Sequence, residues 1–238
     1  MKGFRKLKLG LLTWKAIIYR IISICIFTLL FGHELALTAG FIGITVYYVY
    51  DWLFHKFFNV STDKGFVLWF TGLPCSGKST IADALFPLLK NEGIKVERLD
   101  GDIVRKGKLS DDLGFSKEDR DKNIRRVNFV SSVLSRNGVA VLASFVSPYK
   151  RTRNKIRESV TNFIEVYVEA SAKECAKRDV KGMWAKAKKG EIKGFTGYDD
   201  PYEEPRFDKL EIHLNTEVET LEESVNKVFN YLKKERLI

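Results

Sequence analysis

The chain has 238 residues, 45% of them hydrophobic and 29% charged, a balance that excludes wholesale disorder and suits one medium domain with a smaller appendage. Three cysteines, Cys25, Cys75 and Cys175, are too few and too scattered for a disulfide framework or a zinc site and imply a reducing compartment. The net charge of +10 is uneven: residues 1–60 carry seven Lys/Arg against two acids, which points to a membrane surface or an anionic ligand. No RNP-like or helix-turn-helix pattern supports nucleic acid as a partner.

Lys2, Arg5, Lys6, Lys8 and Lys15 precede two apolar runs, 16–31 and 35–54, joined by Gly32-His33-Glu34. At about 1.5 Å per residue the second run spans a hydrocarbon core of roughly 30 Å, and Arg20 in the shorter run can snorkel toward the headgroups. Neither run has a polar face, which argues against a soluble hairpin, and the second run argues against a cleavable signal peptide. Basic residues flank both outer ends, and Trp14 and Tyr19 would share an interface with Tyr47, Tyr48, Tyr50 and Trp52. The expectation is a transmembrane helical hairpin over 1–60, a multi-pass location in the inner or cell membrane with lipid as partner, and a cytoplasmic domain over 61–238.

After the polar linker 55–65, β and α patterns alternate. Phe66–Thr71 reads as a buried strand and Lys78–Asn91 as a helix ended by Gly93. Between them Gly72, Gly77, Lys78 and Ser79 fit G-x-x-x-x-G-K-[ST], the phosphate-binding P-loop. Its glycines let backbone N–H groups curl around a polyphosphate ahead of a positive helix N-terminus. Gly72, Leu73, Pro74, Cys75, Ser76, Gly77, Lys78, Ser79 and Thr80 are therefore the ATP-binding candidates. Lys78 would reach the β- and γ-phosphates, and Ser79 would hold Mg²⁺.

Lys95–Leu99 is the second predicted strand, followed by Asp100-Gly101-Asp102. Lys117–Arg136 is a helix, Val139–Phe145 a third strand, Pro148–Val160 a helix and Phe163–Glu169 a fourth strand. Ala172–Arg178, Leu210–Leu214 and Val218–Lys234 complete the pattern as helix, strand and amphipathic helix. Gly182–Phe207 reads as a long structureless segment, the kind that serves as a lid. The fold class is α/β: a P-loop NTPase-type parallel sheet with helices on both faces, ligands binding at the carboxyl ends of the strands.

Many P-loop ATPases carry an acidic residue where their apolar strand ends, but the third strand here ends in Ser144 and Phe145. GTPases need Asn/Thr-Lys-x-Asp, which is absent. The acids instead follow the second strand, where one can hold Mg²⁺ or orient a hydroxyl and the other can bind a second substrate; an ordinary Asp-Gly turn is the plainer alternative. Asp100 is thus a candidate catalytic and metal residue together with Lys78 and Ser79.

Six stretches in register resemble the adenylylsulfate kinase family over Gly65–Pro205. They are the P-loop, LDGD-x-x-R (Leu99–Arg105), LGFS-x-x-DR-x-x-N-I-R-R (Leu113–Arg126), S-P-Y (Ser147–Tyr149), RD-x-KG (Arg178–Gly182) and GEIKGFTG-x-DDPYE-x-P (Gly190–Pro205). The resemblance implies transfer of the ATP γ-phosphoryl group to the 3′-hydroxyl of adenosine 5′-phosphosulfate, with Mg²⁺ as cofactor. It also implies that Asp102, Arg105, Arg120, Asn123, Val146 and Ser147 contact adenylylsulfate, that Phe115 and Phe195 stack its adenine, and that Lys181, Lys193 and Gly194 lie nearby. Ser147 has two readings: a phosphoserine intermediate by the family's traditional assignment, or an N-cap before Pro148 that touches substrate. Direct in-line transfer needs no covalent intermediate and favours the second. A homodimer and a separate sulfate adenylyltransferase upstream are further expectations. The stretch from Trp14 to Phe58, with K-A-x-x-Y-R-I, also resembles a small family of two-helix membrane hairpins. The rival functions are a P-loop kinase of another small hydroxyl substrate and a membrane-anchored nucleotide-sensing module.

Overall fold

A computed structural model describes residues 65–114 and 116–238. Five strands, β1 (Val67–Thr71), β2 (Val96–Asp100), β3 (Ala140–Ser144), β4 (Phe163–Glu169) and β5 (Ile212–Asn215), form one parallel sheet in the order β2-β3-β1-β4-β5. Seven helices accompany it among the described residues: α1 (Lys78–Asn91), α2 (Gly101–Lys106), α3 (Lys117–Arg136), α4 (Lys150–Ser159), α5 (Ala172–Arg178), α6 (Met183–Lys188) and α7 (Leu221–Lys234).

The two faces follow from period-2 alternation in strands buried on both sides. Phe66, Leu68 and Phe70 join Leu142, Val166 and Leu214 against Ile81, Leu85 and Leu89 of α1 and Val225, Val228 and Leu232 of α7. Val67 and Trp69 point the other way, with Val141 and Ala143, against Ile124 and Val127 of α3 and Ile156 of α4. Trp69 stacks on Phe145 with ring centroids 5.6 Å apart. Because every strand runs the same way, their carboxyl ends and the loops that follow gather at one edge. β1 stands centrally there, so the P-loop leaves the middle of the sheet.

Most expected elements are present, with ends shifted by one to three residues. Gly93 does end α1: it lies at φ 79° just past the cap and donates its N–H to the Lys90 carbonyl. α7 begins at Leu221 rather than Val218, because Thr220 caps it and Glu223 returns the bond in a capping box. The predicted helix from Pro148 starts only at Lys150. Two elements were not expected. α2 follows Asp100, whose side chain accepts from the Asp102 and Ile103 amides and caps the helix. α6 lies within the segment read as structureless, opened by Gly182 at φ 65° and anchored by buried Trp184 and Ala187.

The expected membrane location is corrected. Among the described residues no helix is long and apolar enough to cross a membrane. The longest, α3, has 20 residues and is charged along much of its length. The runs 16–31 and 35–54 lie outside the described residues, as does Phe115.

Candidate active site

The P-loop leaves β1 through Gly72, whose φ of 149° and nearest neighbour leave no choice of residue: a Cβ there would come within 2.3 Å of the Val168 carbonyl oxygen. Gly77, at φ 104°, opens α1 without a side-chain cap, so the first-turn amides of α1 are left for an anion. Lys78 is buried, and its Nζ donates to the carbonyls of Gly72 (3.0 Å) and Leu73 (2.6 Å) and to Ser76 Oγ (3.4 Å). Burial pushes its pKa down from the ordinary 10.5 to about 8. The ammonium is thus held on the loop by dipoles alone, a cation awaiting an anion.

Asp100 ends β2 across the cleft. Its Oδ1 accepts from the Asp102 and Ile103 amides at 3.0 and 2.9 Å, and Arg98 donates to Oδ2 at 2.7 Å. Arg98 in turn pairs with Asp83 of α1. These contacts fix the carboxylate's direction before any ligand arrives.

One cavity of about 1150 Å³ joins the two. It is lined by Lys78, Ser79 and Thr80 at the start of α1, by Asp100 at the end of β2 and Asp102 just beyond it, and by Arg120, Asn123, Val146, Ser147 and Phe195. Pro74, Cys75, Gly77, Arg105, Lys181, Lys193 and Gly194 also line it, whereas Gly72, Leu73 and Ser76 sit behind the Lys78 ammonium. The volume exceeds the 300–1,000 Å³ or so usual for one small ligand.

Among the lining residues Arg120 is a hub. Its guanidinium donates to Gly194 O (3.0 Å), Thr196 Oγ1 (2.8 Å) and the Tyr149 hydroxyl (2.9 Å), and pairs with Asp200 at 3.1 Å. Three of those partners belong to 190–200, so Arg120 ties that segment to α3. Burial, then the Asp200 carboxylate, pushes the Tyr149 phenol above its usual range. Phe195 is 8% exposed and meets Trp184 edge-on, ring centroids 5.1 Å apart. Trp184 Nε1 donates to Pro74 O at 3.2 Å, which ties the lid to the P-loop. At the lid's other end buried Arg153 donates to the carbonyls of Ser147 (2.7 Å) and Glu203 (2.6 Å) and to Glu165 (2.7 Å).

Asp102 and Lys181 form an ion pair with each other at the cavity mouth. Arg105 donates to the carbonyls of Leu113 (2.7 Å) and Gly114 (3.1 Å) and so holds the loop before α3. Ser147 is not an N-cap: Tyr149 occupies that place without a side-chain bond, and Ser147 takes φ 46° with its Oγ buried and unpartnered. Asn123 Oδ1 is likewise buried without a partner. Sequence reading missed Tyr149, Trp184 and Asp200, although all lie inside or beside quoted motifs. It also missed Arg178, which donates to Thr216 Oγ1 and O, both at 2.9 Å, and lines the cavity with it.

A sequence model of the family described as adenylylsulphate kinase matches residues 64–215. The chain belongs to the adenylylsulfate kinase family. It is 60% identical over 164 residues to a probable adenylyl-sulfate kinase of Pseudomonas aeruginosa, covering 69% of this chain and 75% of that one. It is 53% identical over 169 residues to the adenylyl-sulfate kinase of Picosynechococcus sp., covering 71% and 94%. Among solved structures it resembles the Mycobacterium tuberculosis APS kinase in complex with AMPPNP and APS, at 36% identity and TM-score 0.67, covering 71% and 98%. A gluconokinase of Sinorhizobium meliloti at 18% identity and TM-score 0.50 shares the fold.

Proposed function

We infer that the chain is an adenylyl-sulfate kinase, transferring the γ-phosphoryl group of ATP to the 3′-hydroxyl of adenosine 5′-phosphosulfate, with 61–238 as the kinase domain. The observation that carries this reading is one cavity lined by a P-loop lysine, by the Asp100 carboxylate and by an arginine and a phenylalanine tied to the 190–200 segment.

Phosphoryl transfer asks the protein for positioning and charge rather than covalent chemistry. Lys78 neutralises charge on the β- and γ-phosphates. Asp100, pre-aimed by two amides and Arg98, orients the acceptor hydroxyl. Arg120 and Asn123 bind adenylylsulfate from one face of α3, and Phe195 stacks its adenine. The closed lid keeps water from the γ-phosphate.

The donors suit Mg²⁺. Among the described residues no group of three or more His, Cys, Asp or Glu could hold a metal. Mg²⁺ leans instead on one or two carboxylates and substrate phosphates, here through Asp100 and the Ser79 hydroxyl. When bound it supplies charge neutralisation on the phosphates.

Incubation with ATP, Mg²⁺ and a panel of hydroxyl acceptors tests the assignment. Turnover of a sugar or another nucleotide in preference to adenylylsulfate would overturn it. Phe195→Ala is expected to weaken adenylylsulfate binding by roughly 1–3 kcal/mol, the value of base–aromatic stacking, and to leave ATP affinity nearly unchanged. Selective loss of ATP affinity in calorimetry would mean that the two nucleotide ends are exchanged. Ser147→Ala is expected to keep kcat within about tenfold, because a direct in-line route needs no phosphoserine. Radiolabel from γ-labelled ATP trapped on wild-type protein and absent from the variant would contradict that.

A further inference from the structure

Ser144 has no role in the mechanism above, yet its position is unusual. It ends β3, is 4% exposed, and its Oγ has no hydrogen-bond partner. A hydroxyl carries one donor and two acceptor sites, and leaving it unmet in a buried place costs about 1–3 kcal/mol. The cost is explained if a ligand meets it.

Which ligand follows from the face of the sheet. Ser144 is in register with Asp100 on β2 and with Phe70 on β1. Residues in register on parallel strands point to the same face. Phe70 packs with Ala82 and Leu85 of α1, so Ser144 and Asp100 both point to the α1 side, where Lys78 and Ser79 line the same cavity. The adenylylsulfate residues Arg120 and Asn123 come from α3, which covers the opposite face. Ser144 therefore stands on the phosphate side, beside the one carboxylate assigned to the cation. It also occupies the strand end where many P-loop proteins place their cation-binding aspartate.

We propose that Ser144 is a positioning residue for the divalent cation, its hydroxyl holding a water of the Mg²⁺ hydration shell beside Asp100. The proposal rests on the reading of Ser79 and Asp100 as cation residues. A neutral hydroxyl here adds no charge of its own, and the partnership with Asp100 replaces an acid at the end of β3.

The test uses the full chain, with AMPPNP titrated with and without Mn²⁺; the ratio of the two affinities isolates the cation's contribution. Ser144→Ala should reduce that ratio about tenfold or more, as loss of an outer-shell partner does elsewhere. Metal-free AMPPNP affinity, adenylylsulfate affinity and melting midpoint should stay at wild-type values. Ser144→Cys is close in shape, so it serves if the alanine variant folds poorly, and its weak S–H group should lower the ratio in the same direction. Asp100→Asn is the control. A wild-type ratio in Ser144→Ala together with a lost ratio in Asp100→Asn would overturn the role of Ser144 alone. Wild-type ratios in both would remove the cation site itself.

Discussion

Lys78→Met is expected to lower kcat at least 10²–10³-fold, the usual cost of removing one group aimed at developing charge, while the domain still folds. The same variant has a second signature in its pH dependence. In the folded chain Lys78 titrates at about 8 against an ordinary 10.5, because burial disfavours its charge. Between those values the unfolded chain binds more protons, so wild-type stability rises with pH across that window. Below about pH 8 the whole cost of the buried cation is present, roughly 3 kcal/mol. Lys78→Met should lack this rise in denaturant titrations at pH 7.5 and 10. Nucleotide should remove the cost in the wild type, since phosphate oxygens favour the ammonium. ATP binding near pH 8.5 should then take up protons, seen as a dependence of calorimetric heat on buffer ionisation. No proton uptake and a flat stability profile would show that Lys78 is charged without its ligand.

The second large effect is expected at Arg120. Its guanidinium serves Gly194, Thr196, Tyr149 and Asp200 at once. Bonds to charged groups are worth about 1.5–3 kcal/mol each, so Arg120→Ala should cut kcat/KM for adenylylsulfate by about 10²-fold or more. Hydrogen exchange across 190–200 should speed up, and metal-free ATP affinity should change little. Arg120→Lys should recover only part of the loss, because an ammonium cannot span the fork of partners. Wild-type exchange in the lid of Arg120→Ala would show that the lid is held from elsewhere.

Where sequence and structure agree, the cause is local. The β1–P-loop–α1 unit was legible because its apolar strand, glycine spacing and lysine each have one purpose at one spacing. The central strands β1 and β3 were legible for the same reason, since strands buried on both faces read as apolar runs. The lid was not. α6 is a six-residue helix, and no periodicity can be read from so short a run; it is fixed by Trp184 reaching the P-loop, a contact across 110 positions. α2 was hidden because Asp100 was read for its chemistry, although one carboxylate both caps the helix and faces the site. The start of α4 was misplaced because Ser-Pro is a good local cap, and the buried Arg153 overrides it. The Ser147 carbonyl is bound by Arg153 rather than by a helical amide, the residue lies at φ 46°, outside the helical region, and the helix begins only at Lys150.

The bond from Trp184 to the Pro74 carbonyl has a consequence of its own. Pro74 belongs to the P-loop, and Trp184 supports Phe195, the ring proposed to stack on adenylylsulfate. Whatever free energy one nucleotide spends or gains in moving that carbonyl is shared with the other nucleotide's wall. Reciprocity then requires that each substrate alter the affinity of the other by the same factor, whichever arrives first. Calorimetric titration of each nucleotide with and without the other, in the wild type and in Trp184→Phe, measures how much of such coupling the single indole carries.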